Sequence, residues 1–111
     1  MSAARDRGTA AETAVVRYLN DRGIPCDRSP LRGAADQGDI SGLPVVIEVK
    51  DQVRLQLAEW SDEAKREGAR AGKPGVLWHK RRGKGSPGDW YVTMDGHSFV
   101  LFLEAIQEVI R

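Results

Sequence analysis

The segment Val45-Val46-Ile47-Glu48-Val49-Lys50 most constrains this chain, because it is apolar at successive positions and yet carries an acid and a lysine. A run apolar on both faces marks a central, buried strand, where an idle charge is costly. Side chains two apart on a strand point the same way, so Glu48 and Lys50 share one face while Ile47 and Val49 share the other. Upstream, Gly38-Asp39-Ile40 leads into a turn centred on Leu43-Pro44. Together they predict a β-hairpin with arms at 39–41 and 45–50. If the turn holds an even number of residues, Asp39 falls opposite Glu48 on one side of the sheet. Their β-carbons would then lie about 4.5–5.5 Å apart, where two like charges destabilise a hairpin. A divalent cation would compensate. Carboxylate oxygens suit a hard ion such as Mg²⁺, and no histidine is needed. Beside such an ion, Lys50 is suited to stabilising negative charge on a phosphorane-like transition state or to orienting the attacking water.

A third acid comes from the first helix. Glu12 lies on or beside the stripe formed by Val15, Val16 and Leu19, so it faces the sheet and needs a partner. A metal would provide one; so would a capping box, in which Glu12 bonds back to the amide of Thr9. Glu48 and Lys50 have the alternative of a solvated strand end. Asp39 has that of a turn acid after Gly38, and Asp36 is a further candidate that reads as loop.

The remaining elements follow from periodicity and punctuation. A first helix is expected from about Thr9 to Arg22, with Thr9 as N-cap and Gly23 closing it. A strand at Ile24 to Arg28 belongs near a sheet edge because of Pro25, and a loop of small residues runs from Ser29 to Gln37. Val53, Leu57, Trp60, Ala64, Gly68 and Ala71 recur at three- and four-residue spacing and predict a second helix over 53–71. Strands are expected at 76–79 and 90–94, then a turn at Asp95-Gly96 and a last helix capped by Ser98 and running to Arg111. The order α-β-β-β-α-β-β-α describes an α/β domain, a mixed sheet flanked by helices.

At 111 residues the chain is one domain's length, 1–111. A net charge of +1 excludes an overall basic protein, so a nucleic-acid surface must come from clustering. Lys80, Arg81, Arg82 and Lys84 form such a cluster in a loop suited to tracking a DNA backbone, with a solvated loop as the alternative, and Arg28 and Arg32 precede the proposed site. Cys26 is alone, which excludes an intrachain disulfide and a cysteine-based zinc site and fits a reducing cytoplasm. The first residues lack the apolar stretch of a secretory signal, and no segment reaches membrane-spanning length, so no membrane partner is expected. His79 and His97 are far apart and without partners. Gly83-x-Gly85-x-x-Gly88 matches a dinucleotide fingerprint literally, but it contains Pro87 and precedes a strand where a phosphate site needs a helix. Trp60, Trp78 and Trp90 fit a core.

The order Glu12, Gly38-Asp39-Ile40, Ile47-Glu48-Val49-Lys50 resembles the PD-(D/E)XK nuclease superfamily and, within it, archaeal and phage-type Holliday junction resolvases. Arg7-Gly8 before the first helix, Tyr18-Leu19 with Gly23-Ile24, and Trp60 with Ala64 and Gly68 are similar too, so the resemblance runs from about Arg7 to Met94. One departure is Gly38, which stands where the first motif usually has proline. The resemblance implies a restriction-endonuclease-like fold and a metal-dependent endonuclease for branched DNA, acting in recombination and repair in a prokaryotic or phage-infected cytoplasm. It further implies that Asp39 and Glu48 bind Mg²⁺, with Mn²⁺ able to substitute. Glu12 would complete the metal site directly or through water, while Lys50 assists catalysis and Gln52 adds a polar group. Alternatives are a restriction-like or repair nuclease for other DNA structures, or a non-catalytic DNA-binding subunit. The final helix opens with Phe99-Val100-Leu101-Phe102-Leu103, more apolar than one buried face requires, and so suits packing under the sheet or the two-fold interface of a homodimer.

Overall fold

The apolar run that carries Glu48 and Lys50 forms the middle strand of a five-stranded mixed sheet in the computed structural model, which describes residues 3–30 and 38–110. Along the chain come α1 (Ala3–Asp21), β1 (Asp27–Arg28), β2 (Ile40–Ser41), β3 (Val46–Lys50), α2 (Leu57–Ala71), β4 (Gly75–His79), a 3-10 turn (Pro87–Asp89), β5 (Tyr91–Thr93) and α3 (Gly96–Ile110). The strands lie side by side in chain order. Neighbours are antiparallel except β3 and β4, which are parallel because α2 carries the chain back across the sheet between them.

Alternation on β3 divides the core. Ile47 and Val49 join Ile40, Val76 and Trp90 beneath Ala11, Val15 and Leu19 of α1. Val46 and Leu77, one step out of phase with Ile47 and Val76, are buried on the other face, where α2 packs on β3 and β4 through Trp60, Ala64 and Gly68. That second contact is a backbone approach, for a Cβ on Gly75 would overlap the Ala64 carbonyl.

Several boundaries differ from those expected, each for a local reason. Helix α1 starts at Ala3 rather than Thr9, so Arg7 and Gly8 are helical and Thr9 caps nothing. Residues 3–8 are exposed or half-buried and carry no apolar stripe that periodicity could register. Helix α2 starts at Leu57 rather than Val53, and the first helical bond there runs from Trp60 N–H to Gln56 C=O at 3.0 Å. Val53 is 70% exposed, in the segment that turns the chain off the end of β3 before a helix can lie on the sheet. Strand β1 is only Asp27–Arg28, because Pro25 offers no N–H and Ile24 is exposed. Helix α3 is capped by Asp95, whose Oδ1 accepts the Ser98 N–H at 2.8 Å; Ser98 itself is buried in the first turn. Among the described residues no helix is long and apolar enough to cross a membrane.

Candidate metal centre and adjoining basic cleft

Hairpin register determines where the acids go. Ile40 pairs with Ile47, the alignment an even turn produces, and Asp39 lies just beyond this last paired residue. The ladder changes character there. Asp39 N–H donates to Ile47 C=O at 2.8 Å, and Asp39 Oδ2 accepts the Val49 N–H at 2.7 Å, so a side chain stands in for a backbone carbonyl. Gly38 makes this possible. Its φ of +100° is closed to proline, and a Cβ there would come within 2.7 Å of Val46 Cγ1, which explains glycine at the position before the acid.

Glu12, Asp39, Glu48, Lys50 and Gln52 all line one cavity of about 200 Å³ at the end of β3, together with Ala4, Gly8 and Asp51. Glu12 arrives from α1, where Gly8 one turn earlier leaves the mouth free of a side chain. Arg28 donates to Glu12 Oε1 through Nε and Nη2, both at 3.0 Å, and balances its charge. Arg32 and Asp36 lie outside the described residues.

Two acids that periodicity had not singled out come from α2. Glu48, Glu63 and Glu67 place carboxylate oxygens within 4.8 Å of one another, a tighter group than the anticipated Asp39, Glu48 and Glu12. Both helix acids were accessible in the sequence: Trp60, Glu63, Ala64, Glu67 and Gly68 share the stripe that faces the sheet. A scan for apolar residues passes over acids on such a stripe. Lys50 Nζ lies 3.3 Å from Glu63 Oε1 and 3.9 Å from Glu48 Oε2, so the lysine bridges strand and helix.

Crowding of buried acids shifts their titration. Glu48 is 3% exposed, and its pKa is pushed far above the carboxylate range by burial first, then by a hydrogen bond shared with Glu67 and the nearby charge of Asp39. Its Oε1 is buried with no hydrogen-bond partner. Asp39 is raised to about 7 by burial, opposed by the Val49 N–H bond and reinforced by the charges of Glu12 and Glu67. For Glu63, burial acts upward, but the hydrogen bond with Glu48 and the Lys50 ammonium outweigh it and hold the group ionised. Lys50 feels burial as a downward pull that Glu63 and Glu48 overcome, so it stays charged. A site of five acids (Glu12, Asp39, Glu48, Glu63 and Glu67) and one lysine, with an orphaned buried oxygen, is one that a divalent cation would complete.

A second cleft opens beside the first and shares Asp51 and Gln52 with it. Of the basic loop, Lys80 and Arg82 line this cleft; Arg81 instead lies 5.1 Å over the Tyr91 ring, and Lys84 is part of neither wall. The loop is pinned, since the Trp90 and Trp78 indole N–H groups donate to the carbonyls of Lys84 and Pro87 at 2.8 and 3.1 Å. His79 is buried with Nε2 2.8 Å from Thr93 Oγ1, a structural role. Gly83 to Gly88 runs into the 3-10 turn and β5, with no following helix to receive a phosphate. No family model, curated protein or solved structure matches the chain.

Proposed function

We propose that the chain is a Mg²⁺-dependent DNA endonuclease, built on a restriction-endonuclease-like sheet and acting on branched DNA in the manner of a Holliday junction resolvase. The convergence of Glu12, Asp39, Glu48, Lys50 and Gln52 on one cavity carries the proposal. Asp39, Glu48 and Glu12 offer only hard oxygen donors, and the unpartnered Glu48 Oε1 is the group that a cation would satisfy. When bound, Mg²⁺ or Mn²⁺ supplies Lewis-acid polarisation of a phosphoryl oxygen and a more acidic water. Lys50, held by Glu63 at the cavity wall, presents a fixed positive charge to the scissile phosphate. Gln52 stands where cavity and basic cleft meet and offers an amide to phosphate or water. A non-catalytic DNA-binding subunit would gain nothing from buried acids beside a phosphate, because they repel it.

Junction cleavage cuts two symmetric strands, which suits two copies of the chain acting together. The exposed apolar side chains of α3 make a second copy the proposed protein partner. A panel of four-way junction, flap, duplex and single-stranded DNA in Mg²⁺ tests the substrate. Cutting confined to the junction is expected, whereas cutting of ordinary duplex at equal rate would reassign the protein to a restriction-like or repair nuclease.

A further inference from the structure

The cleft of about 500 Å³ beside the cavity draws its cations from places far apart in the chain, Arg7 from α1 and Lys80 and Arg82 from the loop after β4. Asp51 is the acid in its wall and Val53 its one large apolar side chain, so the lining carries a net charge of +2 (three cations less one acid). Small-molecule pockets of this size are mostly apolar with a few polar groups. This one brings three cationic side chains together, guanidinium and ammonium groups suited to phosphate oxygens. Its position follows from the sheet. Lys50 pairs with His79 across the parallel β3–β4 ladder, and Lys80 N–H donates to Lys50 C=O at 2.9 Å, so the basic loop leaves the sheet beside the proposed catalytic lysine. Lys80 is steadied by Asp51 at 3.8 Å and by the Trp90 ring at 5.8 Å.

We infer that Arg7, Lys80 and Arg82 form a subsite for the sugar-phosphate backbone of a nucleic-acid strand, next to the phosphate that is cut. This rests on the nuclease function proposed above, since it treats the neighbouring cavity as the place of hydrolysis. The strand passes over Asp51 and Gln52, the two residues both hollows share. Its phosphates beyond the scissile one meet Arg7 on one wall and Arg82 on the other. Because the contacts are to backbone, the subsite sets affinity and the direction of the strand and reads no base. Arg81, turned onto Tyr91 and away from the cleft, is the internal control.

The test is fluorescence anisotropy with a labelled four-way junction and a labelled duplex over a salt series, with Ca²⁺ replacing Mg²⁺ to hold back cleavage. Arg7→Ala and Arg82→Ala are each expected to weaken binding to both DNAs and to make the slope of log K against log salt shallower by about 0.9. Arg81→Ala should leave the slope unchanged. Wild-type slopes in Arg7→Ala and Arg82→Ala, an equal loss in Arg81→Ala, or no binding of either DNA by the wild-type protein would overturn the subsite. So would displacement of DNA by inorganic phosphate or a mononucleotide at constant ionic strength, which would assign the cleft to a small phosphate ligand. If the slopes change as expected but the protein cuts nothing in Mg²⁺, the subsite stands and the nuclease proposal falls.

Discussion

Lys50 is held between two acids, one on its own strand and one on the helix above it, and the helix acid is the nearer by 0.6 Å (3.3 against 3.9 Å). Glu63 is therefore the closer anchor of the ammonium, and it also stands in the carboxylate group with Glu48 and Glu67. Glu63→Gln should lower the rate of DNA cleavage about 10- to 100-fold, the usual cost of losing a group that orients a catalytic side chain. In a Lys50→Ala background the same change should add almost nothing, and additive losses would show that Glu63 acts elsewhere. Asp39 supplies a pH test. Its folded pKa of about 7 lies above its ordinary 3.8, so the folded state holds the extra proton between those values. The resulting stabilisation is complete below about pH 3.8 and lost as pH rises through about 7. Without metal, the urea midpoint should fall from pH 5 to 8, fall less steeply in Asp39→Asn, where the buried Glu48 carboxyl still contributes, and recover at pH 8 on adding Mg²⁺; a midpoint that rises over that range in wild type would contradict the assignment. Asp39, Glu48 and Lys50 could be located in the sequence because strand alternation and turn parity are simple geometry. The Arg28–Glu12 pair was not legible there, since it spans sixteen residues and depends on how α1 lies across the sheet.

Among the elements, the β3–α2–β4 unit does the positioning, placing Glu48, Lys50, Glu63 and Glu67 on one side of the sheet. It depends on Gly75, where the backbone of α2 rests on the strand. Gly75→Ala should cost about 1–3 kcal/mol in urea denaturation, because the clash is with backbone and cannot be relieved by a rotamer change. Retention of full stability would mean that helix and sheet are farther apart than described. The strands and the three helices were largely legible, because each has a buried face with the proper period. The first six residues of α1 were not. They bury nothing, yet they extend the helix so that Ala4 and Gly8 line the cavity and Arg7 reaches the cleft. Chain entry into α2 was illegible for a related reason: Val53 continues the apolar period but falls before the first helical hydrogen bond.

The whole molecule exposes more surface than its size requires. A monomer of 12.2 kDa is expected to expose roughly 6,100 Å², and this one exposes 7294 Å². Helix α3 carries much of the apolar part: Phe99, Leu103, Ile106 and Ile110 follow a four-three-four spacing that makes one seam, and they are 51, 42, 52 and 74% exposed. A standard interface buries roughly 800 Å² per partner, and this seam is the apolar surface that would supply it. Wild-type protein should therefore sediment as a dimer at micromolar concentration and Leu103→Lys with Ile106→Lys as a monomer; monomeric wild type would remove α3 as the interface. The sequence showed the excess of apolar residues in this helix, but whether they pack under the sheet is a matter of tertiary placement that periodicity does not reach. The most direct measurement of the central claim is cleavage of a four-way junction by wild type, Asp39→Asn and Lys50→Ala in Mg²⁺ and in EDTA. Metal-dependent scission by wild type, reduced at least a hundredfold in both variants while junction binding persists, is the predicted result. Binding without scission by all three, or scission that survives both substitutions, would contradict it.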